Sequence, residues 1–136
     1  MVACWLFPLA RILNNNLVLY DGRAIRMAGA VLLALGLVIF GWGLATLGKG
    51  IRIGLADNIK ILRTEGIYRI SRNPIYLGIY MLCLASCCFA LHPFNILLAV
   101  FAIGAHHRIV LSEERFLDGK FGEQWRRYRA QVRRYL

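Results

Sequence analysis

Five residues near the end of a long apolar stretch hold much of the chain's capacity to move a proton or hold a charge. They are His106, His107, Arg108, Glu113 and Glu114, in "GAHHRIVLSEERF". On a continuous helix His106 and Glu113 lie seven positions apart and share a face, as do His107 and Glu114. Imidazole and carboxylate groups can accept a proton from a reacting group. Two adjacent carboxylates beside a bilayer also repel each other unless a cation sits between them and a basic partner. Simple surface exposure accounts for the same residues without chemistry, and the pattern alone leaves both readings open.

A second concentration lies in "GIYRISRNPIYLG", residues 66–78, where a basic stretch turns abruptly into an apolar one. Proline in the first turn of a helix loses no hydrogen bond, so Pro74 starts a helix and Asn73 is placed to cap it. The free N–H groups of that turn would attract a carboxylate. Tyr76 falls within the turn, and Gly78 lets another group approach closely. A plain helix start is the alternative.

The elements that must position these residues read as membrane helices. The 136 residues are 59% apolar with a mean hydropathy of +0.55, well above the roughly 45–50% apolar content of ordinary globular chains. Residues 27–47 carry no charge and match the roughly 20 residues that a bilayer core requires. Residues 75–91 and 94–111 form two further apolar arms around "HPFN", and Pro and Asn in that turn suggest a helical hairpin. In the first 20 residues Pro8, Arg11 and Asn14, Asn15 and Asn16 interrupt the apolar pattern. A short or broken helix packed on its neighbours is expected there, and no signal peptide. The expected fold is all-α: an integral membrane helical bundle with three to four membrane helices and a C-terminal amphipathic interfacial helix. The expected organisation is a single domain, 1–136. It divides into N-terminal membrane helices (1–47), a cytoplasmic loop (48–73), a hairpin (74–111) and a cytoplasmic interfacial helix (112–136).

Charge supplies an orientation. The formal net charge is +10, and 14 of the 17 Lys and Arg lie within residues 48–73 and 105–136, with none in the 92–95 turn. By the positive-inside rule the two basic segments face the cytoplasm. That rule explains the basic excess without nucleic acid, which is not expected as a partner. In the tail Phe121, Trp125, Tyr128, Val132 and Tyr135 form a stripe at spacings of 4, 3, 4 and 3 among Arg126, Arg127, Arg129, Arg133 and Arg134. Such a helix lies in an anionic headgroup layer, packs on the rest of the protein, or does both. Cys83 and Cys87 are one turn apart, but no cysteine spacing matches a zinc signature, so packing is expected and no metal. Gly36, Gly41, Gly43 and Gly48 allow close helix approach, inside the chain or in a homodimer.

"LRTEGIYRISRNPIYLGIYML", followed after one hairpin by "EERFLDGKFGEQWRRYRAQV", resembles the superfamily of isoprenylcysteine carboxyl methyltransferases and phospholipid methyltransferases. The shared pattern is roughly T-x-G-x-Y, then R-[HN]-P-x-Y-x-G, then E-E-x-x-L-x-x-x-F-G-x-x-[YW]-x-x-Y. It covers about residues 60–132. The resemblance implies a multi-pass membrane enzyme, expected in a bacterial inner membrane, with S-adenosylmethionine as cofactor. It implies membrane lipids and a hydrophobic methyl acceptor as partners: a prenylcysteine carboxylate, a phospholipid amine or similar. Carried over residue by residue, the cofactor site would comprise Lys60, Ile61, Leu62, Arg63, Tyr68, Asn73, Pro74, Ile75, Tyr76 and Glu113, with the tyrosines as walls. Glu114 or His106 would take a proton if the acceptor must lose one, and Arg108 would stand near the arginine that meets substrate. Asn73 replaces a frequent His, and the tail "QVRRYL" lacks the V-P…P ending of the prenylcysteine enzymes. Two other functions fit the same pattern: an NADPH-dependent membrane reductase of the sterol type, and a non-catalytic membrane partner protein.

Overall fold

The computed structural model describes residues 2–13, 22–48 and 62–136, and every regular element among them is helical. The order is α1 (Val2–Leu13), α2 (Arg23–Leu47), a short 3-10 turn (Gly66–Arg69), α3 (Pro74–Phe89), α4 (Pro93–Phe121) and α5 (Glu123–Gln131). Half of the basic segment expected to form the cofactor loop, residues 49–61 with Lys60 and Ile61 among them, lies outside the described residues.

α2 and α4 are long and apolar enough to cross a membrane. α3 is shorter at 16 residues, about 24 Å at 1.5 Å per residue against the roughly 30 Å of a bilayer core. On α2 the side chains of Met27, Val31, Leu35, Val38 and Trp42 are exposed, recurring at helical spacing along one face. An uninterrupted apolar stripe of this length suits lipid, not water. The opposite face carries Gly29, Gly36 and Gly43, all buried against α3. A Cβ built on Gly36 would come 3.1 Å from Met81 Cβ, and one on Gly43 would come 2.8 Å from Ile75 Cγ1. Gly78 of α3 meets the same groove, where a Cβ would fall 2.8 Å from Phe40 Cβ and 2.9 Å from the Gly36 carbonyl. The close approach that Gly36 and Gly43 permit is thus used within the chain. Gly41 has open space around it, and Gly48, at φ 77°, caps the end of α2.

α3 and α4 form the expected hairpin. His92 caps α4 by accepting from the Phe94 amide at 3.2 Å, and Pro93 opens the helix. Asn95 is wholly buried and ties the two arms, donating from Nδ2 to the carbonyls of Ser86 (3.2 Å) and Ala90 (3.1 Å). α1, a 12-residue helix with Pro8 inside it, packs on this end. Phe7 stacks on His92 at 5.1 Å, and the Ser86 hydroxyl donates to the Cys4 carbonyl. Cys4 and Cys83 are core residues with Ile79, Ala99 and Ala102.

The second arm departs from the expected boundary at residue 111. α4 continues through the glutamate pair to Phe121 and stops only at Gly122, whose positive φ of 49° breaks the helix. The tail stripe also differs from expectation, because α5 ends at Gln131 and the chain is extended at Val132, leaving Tyr135 beyond the helix. Trp125 and Tyr128 are buried on Leu62, with Leu117, Phe121 and Val132 around them. The apolar face of α5 is therefore turned onto the protein itself.

Candidate functional site

The polar residues at one end of α3 and α4 sort into three groups, according to which way each side chain leaves its helix. Adjacent helical residues project about 100° apart, and Glu113 and Glu114 use that angle to face different partners.

Glu114 is buried. Arg134 donates to it from Nε (3.2 and 3.1 Å) and Nη2 (2.9 Å), Asn73 Nδ2 donates at 3.1 Å, and Arg72 Nη2 forms an ion pair at 3.4 Å. A carboxylate so enclosed by two guanidinium groups is an electrostatic anchor. Both oxygens of Glu114, read as a candidate proton acceptor, are thus engaged by donors of the chain itself. The cap read for Asn73 is not formed. Its side chain makes no capping bond to α3 and turns instead to Glu114 and to the Arg134 carbonyl (3.3 Å). The basic tail pairs here with the threshold of α3, the Arg72 and Asn73 amides donating to the carbonyls of Arg133 (3.0 Å) and Arg134 (3.2 Å). Arg72 also lies over the Trp125 ring at 5.5 Å, a cation–π contact that fastens α5 to the same point. Burial pushes the Arg72 guanidinium down from its ordinary value, against the opposing pull of Glu114. The hydrogen bonds that Glu114 accepts push Arg134 up.

Glu113 faces α3. Tyr76 donates to its Oε1 at 2.9 Å, leaving lone pairs on both oxygens for another donor. Tyr68 sits close enough to feel this charge. Burial first, and the Glu113 carboxylate second, push its phenol up to about 12. It therefore stays protonated and keeps a hydrogen to donate. Tyr68 is positioned by the 3-10 turn, which Gly66 (φ 58°) starts against Thr46 of α2, and by Tyr128, whose hydroxyl donates to the Tyr68 carbonyl at 2.7 Å. His106 presents its ring edge to Tyr76 at 6.1 Å. Its Nδ1 lies 2.6 Å from the Ala102 carbonyl. A carbonyl can only accept, so Nδ1 carries a proton.

The third group was not foreseen. Tyr135 from the tail reaches Tyr80 of α3 (O···O 3.1 Å) and His107 Nδ1 of α4 (2.8 Å).

Of the residues expected at a cofactor site, Tyr68, Tyr76 and Glu113 come together, with His106 beside them. Leu62 is buried beneath Trp125 and Tyr128, and Ile75 packs against Gly43 along with Pro74. The Ile75 amide would lie 3.3 Å from a Gly43 Cβ, so α2 covers the start of α3 where a ligand carboxylate was expected. Arg63 is exposed, and Arg108 is exposed on the face of α4 that holds Gly104 and Ser112, away from Tyr76. Arg72, Arg134, Tyr135 and Tyr80 were missed, and His107, singled out for sharing a face with Glu114, meets Tyr135 instead. Arg72 and Tyr80 were within reach of a sequence reading, one beside Asn73 in the motif and the other one turn on from Tyr76.

Helices fit to cross a bilayer, ending in a half-buried cluster of carboxylate, phenol and imidazole, define an all-α membrane protein with the groups an enzyme needs. The family model for phospholipid methyltransferases matches residues 24–124, which include every residue of the Tyr68–Tyr76–Glu113 cluster, and the chain belongs to that family. It is a membrane methyltransferase. No curated protein matches it closely.

Proposed function

We propose that the protein transfers a methyl group from S-adenosylmethionine to a lipid or another small hydrophobic acceptor that enters laterally from the bilayer. The observation that carries this reading is the Tyr76–Glu113 pair at 2.9 Å, flanked by Tyr68 within the family-matched segment. The residues suit the cofactor. The half-buried carboxylate of Glu113 answers its cationic amino and sulfonium groups, the Tyr68 and Tyr76 rings offer π faces to the same charge, and exposed Arg63, five residues before Tyr68, is a cation suited to its carboxylate. When bound, S-adenosylmethionine supplies a methyl group on a positively charged sulfur, open to in-line displacement.

The chain's own part is chiefly to position. Glu113 and Tyr76 fix the charged end of the ligand, while the Glu114–Arg72–Arg134 anchor holds the loop that carries Tyr68. Where the acceptor is an amine or hydroxyl, His106, whose ring lies beside that of Tyr76, is suited to take its proton. A carboxylate acceptor needs no base. The apolar stripe of α2 faces lipid in this reading, and α1 and α3 complete a bundle of three to four helices in the membrane. The basic segments face the cytoplasm by the positive-inside rule. Exposed Arg126, Arg127, Arg129 and Arg133 meet anionic headgroups while the other side of α5 packs inward.

Isothermal titration calorimetry with S-adenosylmethionine tests the reading on folded protein in detergent. Wild type should bind and Glu113→Gln should bind at least about tenfold more weakly, the loss of one charge-assisted contact. Folded wild-type protein that binds none would refute it.

A further inference from the structure

α3 and α4 meet in two different ways along their length. Toward the 92–95 turn, Ala99 and Ala102 pack directly on Ile79 and Cys83. Toward Glu113, large polar side chains bridge the helices instead: Tyr76 to Glu113, and Tyr80 through Tyr135 to His107. Tyr76 and Tyr80 are four residues apart on one helix face, so the two bridges lie about one turn, roughly 6 Å, apart. All of Tyr80, His107 and Tyr135 are half-buried, neither sealed in the core nor free in solvent.

The middle member of the second bridge comes from the chain's end and is held from both sides. Arg133 and Arg134 are pinned by the amides of Arg72 and Asn73, by the Ser71 hydroxyl (3.2 Å to the Arg134 carbonyl) and by Glu114. Tyr135 then turns to lie edge-on to Tyr80 at 5.3 Å. A tail that only needed fastening would do so with an apolar side chain, since hydroxyl and imidazole groups drawn between apolar helices lose water that their mutual bonds only partly replace. The tail instead brings a hydroxyl within hydrogen-bond distance of both neighbours, with one of its three hydrogen-bonding positions left over.

We propose that Tyr135 is the acceptor-side positioning residue of the site: held by His107 and Tyr80, it hydrogen-bonds the polar headgroup of the methyl acceptor one helical turn from the Tyr76–Glu113 pair. The inference rests on the methyltransferase reading. It assigns the donor to the cluster around Glu113 and the acceptor's headgroup to the bridge around Tyr135. Removal of the Tyr135 hydroxyl should then disturb one substrate and spare the other.

The test uses the full chain in mixed micelles of detergent and the host's polar lipid extract, with radiolabelled methyl transfer measured while lipid mole fraction and S-adenosylmethionine are varied separately. Tyr135→Phe retains the ring contact with Tyr80 and should keep the wild-type melting temperature. It should leave calorimetric S-adenosylmethionine binding within about twofold while lowering kcat/KM for lipid about tenfold or more, as loss of one productive hydrogen bond implies. Tyr80→Phe, with Tyr135 still in place, should shift the same parameter in the same direction, and Leu136→Ala, at an exposed position, should shift neither. Equal lipid kinetics in Tyr135→Phe and wild type overturn the proposal, as does an equal loss of donor binding, which would make Tyr135 part of the general framework. Wild type that binds no S-adenosylmethionine refutes the methyltransferase reading and the proposal with it, an outcome distinct from failure of the variants alone.

Discussion

Replacing Glu114 by Gln removes one charge while keeping the shape and the Oε1 acceptor that serves Asn73. The side chains of Arg72 and Glu114 are only 6% and 8% exposed, so the Arg72 cation depends on this carboxylate for compensation. Its Nε and Nη1 have no hydrogen-bond partner among the described residues. Breaking a buried pair by removing one partner typically destabilises by about 3–5 kcal/mol. For a chain of this size each kcal/mol moves the melting midpoint by roughly 3–5 °C, so Glu114→Gln should melt about 10 °C or more below wild type. Arg134→Gln acts on a side chain that is 31% exposed and leaves Glu114 paired with Arg72 and Asn73. It should be milder, about 1–2 kcal/mol. The assay is thermal unfolding in detergent followed by far-UV circular dichroism. A Glu114→Gln protein melting within about 2 °C of wild type, or an Arg134→Gln protein that is the less stable of the two, would refute the anchor.

Tyr76→Phe, which removes the donor to Glu113, should lower methyl-transfer kcat/KM about tenfold with no comparable fall in melting temperature; a paired loss of both would make the bond structural. Gly78→Ala should be expressed poorly or melt earlier, by about 1–3 kcal/mol of overpacking, because the added Cβ meets the Gly36 carbonyl and Phe40. Gly41→Ala, facing open space, should be neutral in the same unfolding experiment. Because the Tyr68 phenol is raised from 10.0 to about 12 in the fold, the unfolded chain loses this proton first. The stabilisation is complete below pH 10 and declines as pH rises toward 12. A pH series of melting temperatures should show this decline, less steeply in Tyr68→Phe.

What the sequence disclosed and what it concealed follow from how far apart the partners lie. Helix periodicity, the proline starts at Pro74 and Pro93, and the apolar runs are local, and they led to α2, α3 and the start of α4. Tyr76 and Glu113 were both singled out, but their meeting required the hairpin to close in one register. The glutamate pair was read as a repelling couple because its neighbours on the helix were in view while Arg134, held by contacts spanning 20 residues to Glu114 and 63 to Ser71, was not. Asn73 occupies a cap position with a capping side chain, and local propensity gave way to a buried carboxylate 41 residues away. The tail stripe kept its helical spacing through Val132 and Tyr135, yet the backbone leaves the helix after Gln131 because Arg133 and Arg134 gain better partners in the extended form.

The most direct measurement is incorporation of radiolabelled methyl from S-adenosylmethionine into the lipid-extractable fraction of membranes carrying either wild type or Glu113→Gln at matched expression. Label entering the lipid fraction with wild type, and falling to the level of empty membranes with Glu113→Gln, is the predicted result. No label from folded wild type, or equal label from both proteins, would contradict a methyl-transfer site built on Tyr76 and Glu113.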